Sequence, residues 1–138
     1  MAQPITHYFD HDADIGIMGK GKSIEEAFIQ AAYSTFAIMV DLNKIEPQHK
    51  VKINFEESQL EFALITWLNT LISQARIHGL IFSEFSLKKI GNHWQGEAFG
   101  SPWPKGIDRG TEVKGATLTG LSVKLIHDDW EAKCIVDV

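Results

Sequence analysis

An α+β fold, with two helices packed on a mainly antiparallel, mixed β-sheet, is predicted by three features of the sequence. Two segments carry apolar residues at helical spacing behind capping boxes. The segments around and after them alternate with period two. The order is strands, helix, strand, helix and then a run of strands joined by tight turns, which excludes the regular βαβ alternation of a parallel sheet. At 138 residues, 44% hydrophobic and 22% charged, the chain has the size and composition of one globular domain, expected to span residues 1–138.

The first strands are expected at Ile5 to Phe9 and Ile15 to Met18. The first helix begins at Ser23-Ile24-Glu25-Glu26. There the serine oxygen takes a free backbone N–H and Glu26 reaches back. Ile24, Ala27, Phe28, Ala31 and Thr35 follow at helical spacing, and Asp41 to Lys44 ends the segment. Lys50 to Phe55 alternates as a strand. A second box at Ser58-Gln59-Leu60-Glu61 opens a helix striped by Leu60, Ala63, Leu64, Trp67, Leu68, Leu71, Ile72 and Ala75, with Gly79 as its stop. Strands follow at Phe82 to Ile90, His93 to Phe99, Val113 to Thr119, Leu121 to Ile126 and Trp130 to Val136. Gly91-Asn92 and His127-Asp128-Asp129 read as hairpin turns. Gly100 to Gly110, with Pro102 and Pro104, reads as one long loop.

Composition narrows the function classes. The net charge of −5 argues against a stand-alone RNA binder and fits docking to a basic partner, as well as plain solubility. The lone cysteine, Cys134, forms no internal disulfide and fits a reducing compartment. The N-terminus lacks a basic segment followed by an apolar one, and no apolar run reaches membrane-spanning length. A cytoplasmic protein is therefore expected. No His-Glu-x-x-His pattern and no Gly-x-Ser-x-Gly elbow occurs.

Several motifs bear on chemistry. Gly16 to Ser23 matches the phosphate-binding pattern G-x-x-x-x-G-K-S letter for letter. Its surroundings favour a glycine-rich turn entering a capped helix, because Ile15 to Met18 is itself the strand and no Walker B carboxylate stands out. A nucleotide hydrolase using Lys22 is the enzymatic alternative. In His11-Asp12-Ala13-Asp14, an extended backbone puts Asp12 and Asp14 on one face, which suits a hard cation; both also suit a turn. Asp137 and the terminal carboxylate concentrate charge at the end of an apolar strand. Trp67 belongs to a helical stripe and hence to the core. Trp103, between prolines, is a candidate for partner contact or loop packing.

His11-Asp12-Ala13-Asp14-Ile15-Gly16-Ile17, Phe36 to Asp41, Trp67 to Ile72, Gly79 to Phe85, Gly110 to Thr117 and the ending Val136-Asp137-Val138 together resemble the archease family. The likeness runs in order along nearly the whole chain. It implies an α+β accessory protein with no catalysis of its own. Such a protein activates an RtcB-type RNA ligase, which uses GTP and a divalent metal in tRNA splicing and RNA repair, and it promotes guanylylation and repeated turnover. It also implies a divalent ion (Mg, Ca or Mn) held by Asp14, Asp137 and a backbone oxygen of Val138. His11, Lys105 and Lys114 are the implied contacts to ligase, nucleotide or RNA. The sequence departs from the family pattern at Asp12, where Thr is usual, at Lys105-Gly106-Ile107, which lacks a histidine, and at Leu118-Thr119, where Tyr-His is usual. A chaperone-like interaction module without metal is the other alternative.

Overall fold

The computed structural model describes residues 9–11 and 14–138, with side chains from Asp14 onward. The elements are β1 (Phe9–His11), β2 (Asp14–Gly21), α1 (Ile24–Ala37), β3 (His49–Glu56), α2 (Leu60–His78), β4 (Leu80–Ile90), β5 (His93–Pro102), β6 (Gly115–Ala116), β7 (Ser122–Ile126) and β8 (Asp129–Asp137). A single 3-10 turn, Leu42–Lys44, follows α1. The expected strand residues 5–8 lie outside the described residues.

The α+β class holds, and the strands divide into two sheets. One has the order β1-β2-β8-β6, with β7 also on β8, so β6 and β7 share one edge of β8. The other has the order β3-β5-β4. Every described pairing is antiparallel. Both helices touch both sheets.

Helix α1 starts where the capping box places it: Ser23 Oγ accepts the Glu26 N–H at 3.1 Å, and the Glu26 carboxylate accepts the Lys22 N–H at 2.9 Å. Its residues from Ala31 to Phe36 are buried in succession, as befits a helix covered on several sides. The two polar residues in that run have partners. Ser34 Oγ donates to Met18 O and Thr35 Oγ1 to Ala31 O. The second box does not form as expected. Gln59 is the N-cap of α2 and makes no side-chain cap; the Glu57 carboxylate accepts the Gln59 N–H instead. Gly79 ends α2 in the left-handed region, at φ 64°.

The core is anchored by aromatic residues. Phe28 of α1 stacks on Trp94 of β5 at 5.1 Å, and Phe55 of β3 stacks on the same indole. Trp67 of α2 is fully buried, and its indole N–H donates to Phe28 O at 3.0 Å. Each such side chain contributes about 1.5–3 kcal/mol by burial.

The strand expected over Val113 to Thr119 shortens to Gly115–Ala116. Thr117 N–H donates to Ile135 O, and Ile135 N–H donates to Thr119 O. Two residues thus share one partner, and Leu118 is expelled as a bulge. At the other end, Val113 turns into the core, and its carbonyl accepts from Arg76.

Candidate metal and partner-docking site

Two glycines within the phosphate-loop match, Gly19 and Gly21, serve packing. Gly16 to Gly21 is extended strand, so no loop wraps a ligand there. A Cβ at Gly19 would lie 2.2 Å from Ala27 O, and one at Gly21 would lie 2.5 Å from Glu26 Cβ. Both residues must be glycine for β2 to lie against α1. Lys22 pairs with Asp129 at 2.7 Å, and this contact raises the pKa of Lys22 and lowers that of Asp129. Nothing in this arrangement presents Lys22 to a phosphate.

The acidic ends of the chain, by contrast, meet. In the β2–β8 ladder Asp14 lies directly opposite Asp137. Direct partners in an antiparallel pair point to the same side of the sheet, with Cβ atoms about 4.5–5.5 Å apart. That side is the outer one. Ile15, Ile17 and Gly19 alternate inward, Ile17 being fully buried and Gly19 lying against α1. The row extends across the sheet. The backbone of His11 is in register with Asp14, and Gly115 is in register with Asp137. The side chains of His11 and Asp12 lie outside the described residues. Val138 follows Asp137 and packs against the edge of the core.

The donors that the register brings together are two carboxylates. That set fits a hard cation such as Mg, Ca or Mn and does not suit zinc. Like charges directly opposite one another on neighbouring strands repel, and a cation between them reverses the sign of the interaction. Among the described residues, no group of three or more His, Cys, Asp and Glu gathers to form a closed metal cage. A partner or solvent would complete the shell.

The segment before β6 is pinned at four points. Gly110 N–H donates to Met39 O at 2.7 Å and Thr111 N–H to Ile38 O at 3.1 Å, satisfying carbonyls just beyond α1. Arg76 of α2 donates to Val113 O at 3.0 Å. Lys114 N–H donates to Asp137 O at 2.7 Å. Lys114 is therefore fixed beside the carboxylate pair by its backbone, with its side chain exposed. Lys105 is exposed further back in the same loop, and no described contact joins it to the pair. A cavity of about 440 Å³ lies under this loop, between Phe36, Ile72, Leu80 and Val113. At its rim Arg109 sits 4.0 Å over the ring of Trp103. Trp103 is half-buried against the core, as expected for loop packing.

One contributor escaped the sequence reading. Asn69 of α2 bonds both backbone groups of Ala116: its Oδ1 accepts the N–H at 2.8 Å and its Nδ2 donates to the carbonyl at 3.3 Å. The available signal was slight: an amide beside the apolar stripe, at a position next to Leu68.

The Archease protein family (MTH1598/TM1083) model matches residues 7–138. Protein archease of Pyrococcus furiosus is 33% identical over 137 residues, covering 95% of this chain and 96% of that protein. Protein archease of Sulfolobus acidocaldarius is 35% identical over 136 residues, with the same coverage. The solution structure of Methanobacterium thermoautotrophicum protein 1598 superimposes with a TM-score of 0.85 at 26% identity, covering 96% of this chain and 98% of that one. The crystal structure of a Thermotoga maritima archease, described as a possible chaperone, shares the fold with a TM-score of 0.65 at 21% identity, covering 100% of this chain and 98% of that one.

Proposed function

Because the chain belongs to the archease family, we propose that it is a non-catalytic accessory protein that activates an RtcB-type RNA ligase in tRNA splicing and RNA repair. The observation that supports this most is the register of Asp14 opposite Asp137 on the outer face of the β2–β8 pair. It joins two acidic residues 123 positions apart in sequence (137 − 14) at one accessible sheet end.

In this reading Asp14 and Asp137 bind one divalent cation, and the backbone oxygen of Val138 is a further ligand. A bound cation supplies positive charge for phosphate oxygens of the nucleotide or RNA end. The two carboxylates hold it, and the ladder fixes their spacing. Lys114, anchored to Asp137 by its backbone, adds a mobile ammonium beside the pair for a phosphate or an acidic ligase residue. Lys105 and His11 are the outer contacts. The ligase makes the covalent bonds, and this chain presents charge to it. The site of action is the cytoplasm. No described helix is long and apolar enough to cross a membrane.

Guanylylation of the cognate ligase, with and without this protein, tests the proposal. The wild type should stimulate the reaction and allow repeated turnover, and Asp137→Ala should not. Stimulation that survives both Asp14→Ala and Asp137→Ala would instead establish a chaperone-like module acting without metal.

A further inference from the structure

We propose that Asn69 is a positioning residue: it acts from α2 as a substitute strand that holds β6 in place and, through β6, steadies Asp137 where the β2–β8 ladder sets it opposite Asp14. The inference rests on the metal reading above and identifies what supports it.

Strand β6 has only Gly115 and Ala116, too short to hold itself against β8 by its ladder. One of its edges pairs with β8, where Gly115 and Ala116 are in register with Asp137 and Val136. Asn69 engages Ala116 from α2. A primary amide presents a carbonyl and an N–H, the same pair that a neighbouring strand would offer. Both are used, on the N–H and the carbonyl of one residue. The fit is close, because a Cβ at Gly115 would stand 3.2 Å from Asn69 Oδ1. Seven positions along α2, two helical turns and hence on the same face, Arg76 holds Val113 O. Between these two fixed points lies Lys114, whose N–H reaches Asp137 O at 2.7 Å. The sequence of contacts therefore runs from α2 through residues 113–116 to the last turn of the ladder that carries Asp137. Asp137 is at the last register pair of both the β2–β8 and the β6–β8 ladders. Loss of the Asn69 bonds frees that end without removing either carboxylate.

The experiment compares the full-length wild type with N69A and with V51A, a core variant in β3 remote from β6. Three quantities are read: melting temperature, amide hydrogen exchange at Lys114, and Mn²⁺ affinity by titration calorimetry. N69A should speed Lys114 exchange by at least about tenfold relative to V51A and weaken Mn²⁺ binding by about tenfold. These changes should exceed anything explained by its fall in melting temperature. N69L keeps the size of the side chain and removes both polar groups, so it should lose Lys114 protection as N69A does and reads the contact if N69A does not fold. If N69A and V51A show the same Lys114 exchange, Asn69 is merely structural and the proposal is overturned. If the wild type binds no Mn²⁺, the metal reading fails, while Lys114 exchange still decides whether Asn69 holds this strand end.

Discussion

Gly19 of β2 lies so close to α1 that a Cβ there would sit 2.2 Å from the Ala27 carbonyl oxygen and 2.3 Å from the Ala31 nitrogen. Both obstacles are helix backbone, which cannot rotate away as a side chain would. Gly19→Ala should therefore push strand and helix apart and cost about 3 kcal/mol or more, at the upper end for overpacking. Urea unfolding measures this. A loss under about 1 kcal/mol would mean that β2 and α1 are not held at this distance.

The same packing explains the literal phosphate-loop match, and a second prediction follows from it. Lys22 is paired with Asp129 across the β2–β8 end and lies away from any loop that could cradle phosphate. Lys22→Ala should leave ligase stimulation unchanged. The purified chain should show no NTP hydrolysis to lose. Turnover that disappears in Lys22→Ala would revive the hydrolase reading.

Most of the fold was legible because its signals are local. The α1 cap, the stop at Gly79 and the turns at Gly91 and His127 depend on a few adjacent residues, and each appears where expected. The failures have distant causes. Val113 to Thr119 reads as a strand by alternation, but Arg76 captures Val113 O and Ile135 is shared by Thr117 and Thr119. The Ser58 box looked complete, yet Glu57 supplied the oxygen that met the Gln59 N–H. The candidate site divides similarly. Asp14 and Asp137 each stood out locally as acidic residues, their pairing was implied only by a family likeness, and the β2–β8 register puts them opposite one another. Asn69 was invisible as a contributor because its target lies 47 residues away.

Trp67 and Gly96 form a size-matched pair. A Cβ at Gly96 would meet Trp67 Cζ3 at 2.6 Å, with Ser86 O next at 3.0 Å. Trp67→Phe removes the bond to Phe28 O and leaves a void, at a cost of about 1–3 kcal/mol. Gly96→Ala should be destabilising in the wild type and clearly less so beside Phe at 67. The coupling should fall in the range of about 0.5–3 kcal/mol found for touching residues. Strict additivity across the four proteins would show that the indole does not limit residue 96.

Cys134 lies on the inward side of β8, and burial pushes its thiol up to about 12. A thiol in an unfolded chain titrates near 8.5. The folded protein therefore holds its proton over a range where the unfolded chain releases it. The resulting stabilisation is complete below about pH 8.5 and is lost progressively as pH rises toward 12. At pH 8 a thiol reagent should label the native protein slowly, with a rate that follows unfolding as urea is added. Rapid labelling without denaturant would show that the inner side of β8 is open.

Asp14 and Asp137 make a coupled prediction of their own. If one cation bridges them, it binds the folded chain and not the unfolded one, in which the two residues are far apart. Ion binding then adds stability by mass action, about 2.7 kcal/mol at a free concentration one hundred times Kd. Asp14→Asn and Asp137→Asn keep the size of each side chain and remove one charge. Each alone should abolish most of the Mn²⁺-induced rise in melting temperature, and the double variant should lose little more, because one ligand set cannot be broken twice. Two independent ions would instead give half the rise in each single variant and none in the double. An unchanged rise in all three would place the binding of Mn²⁺ elsewhere on the chain and detach these carboxylates from the metal.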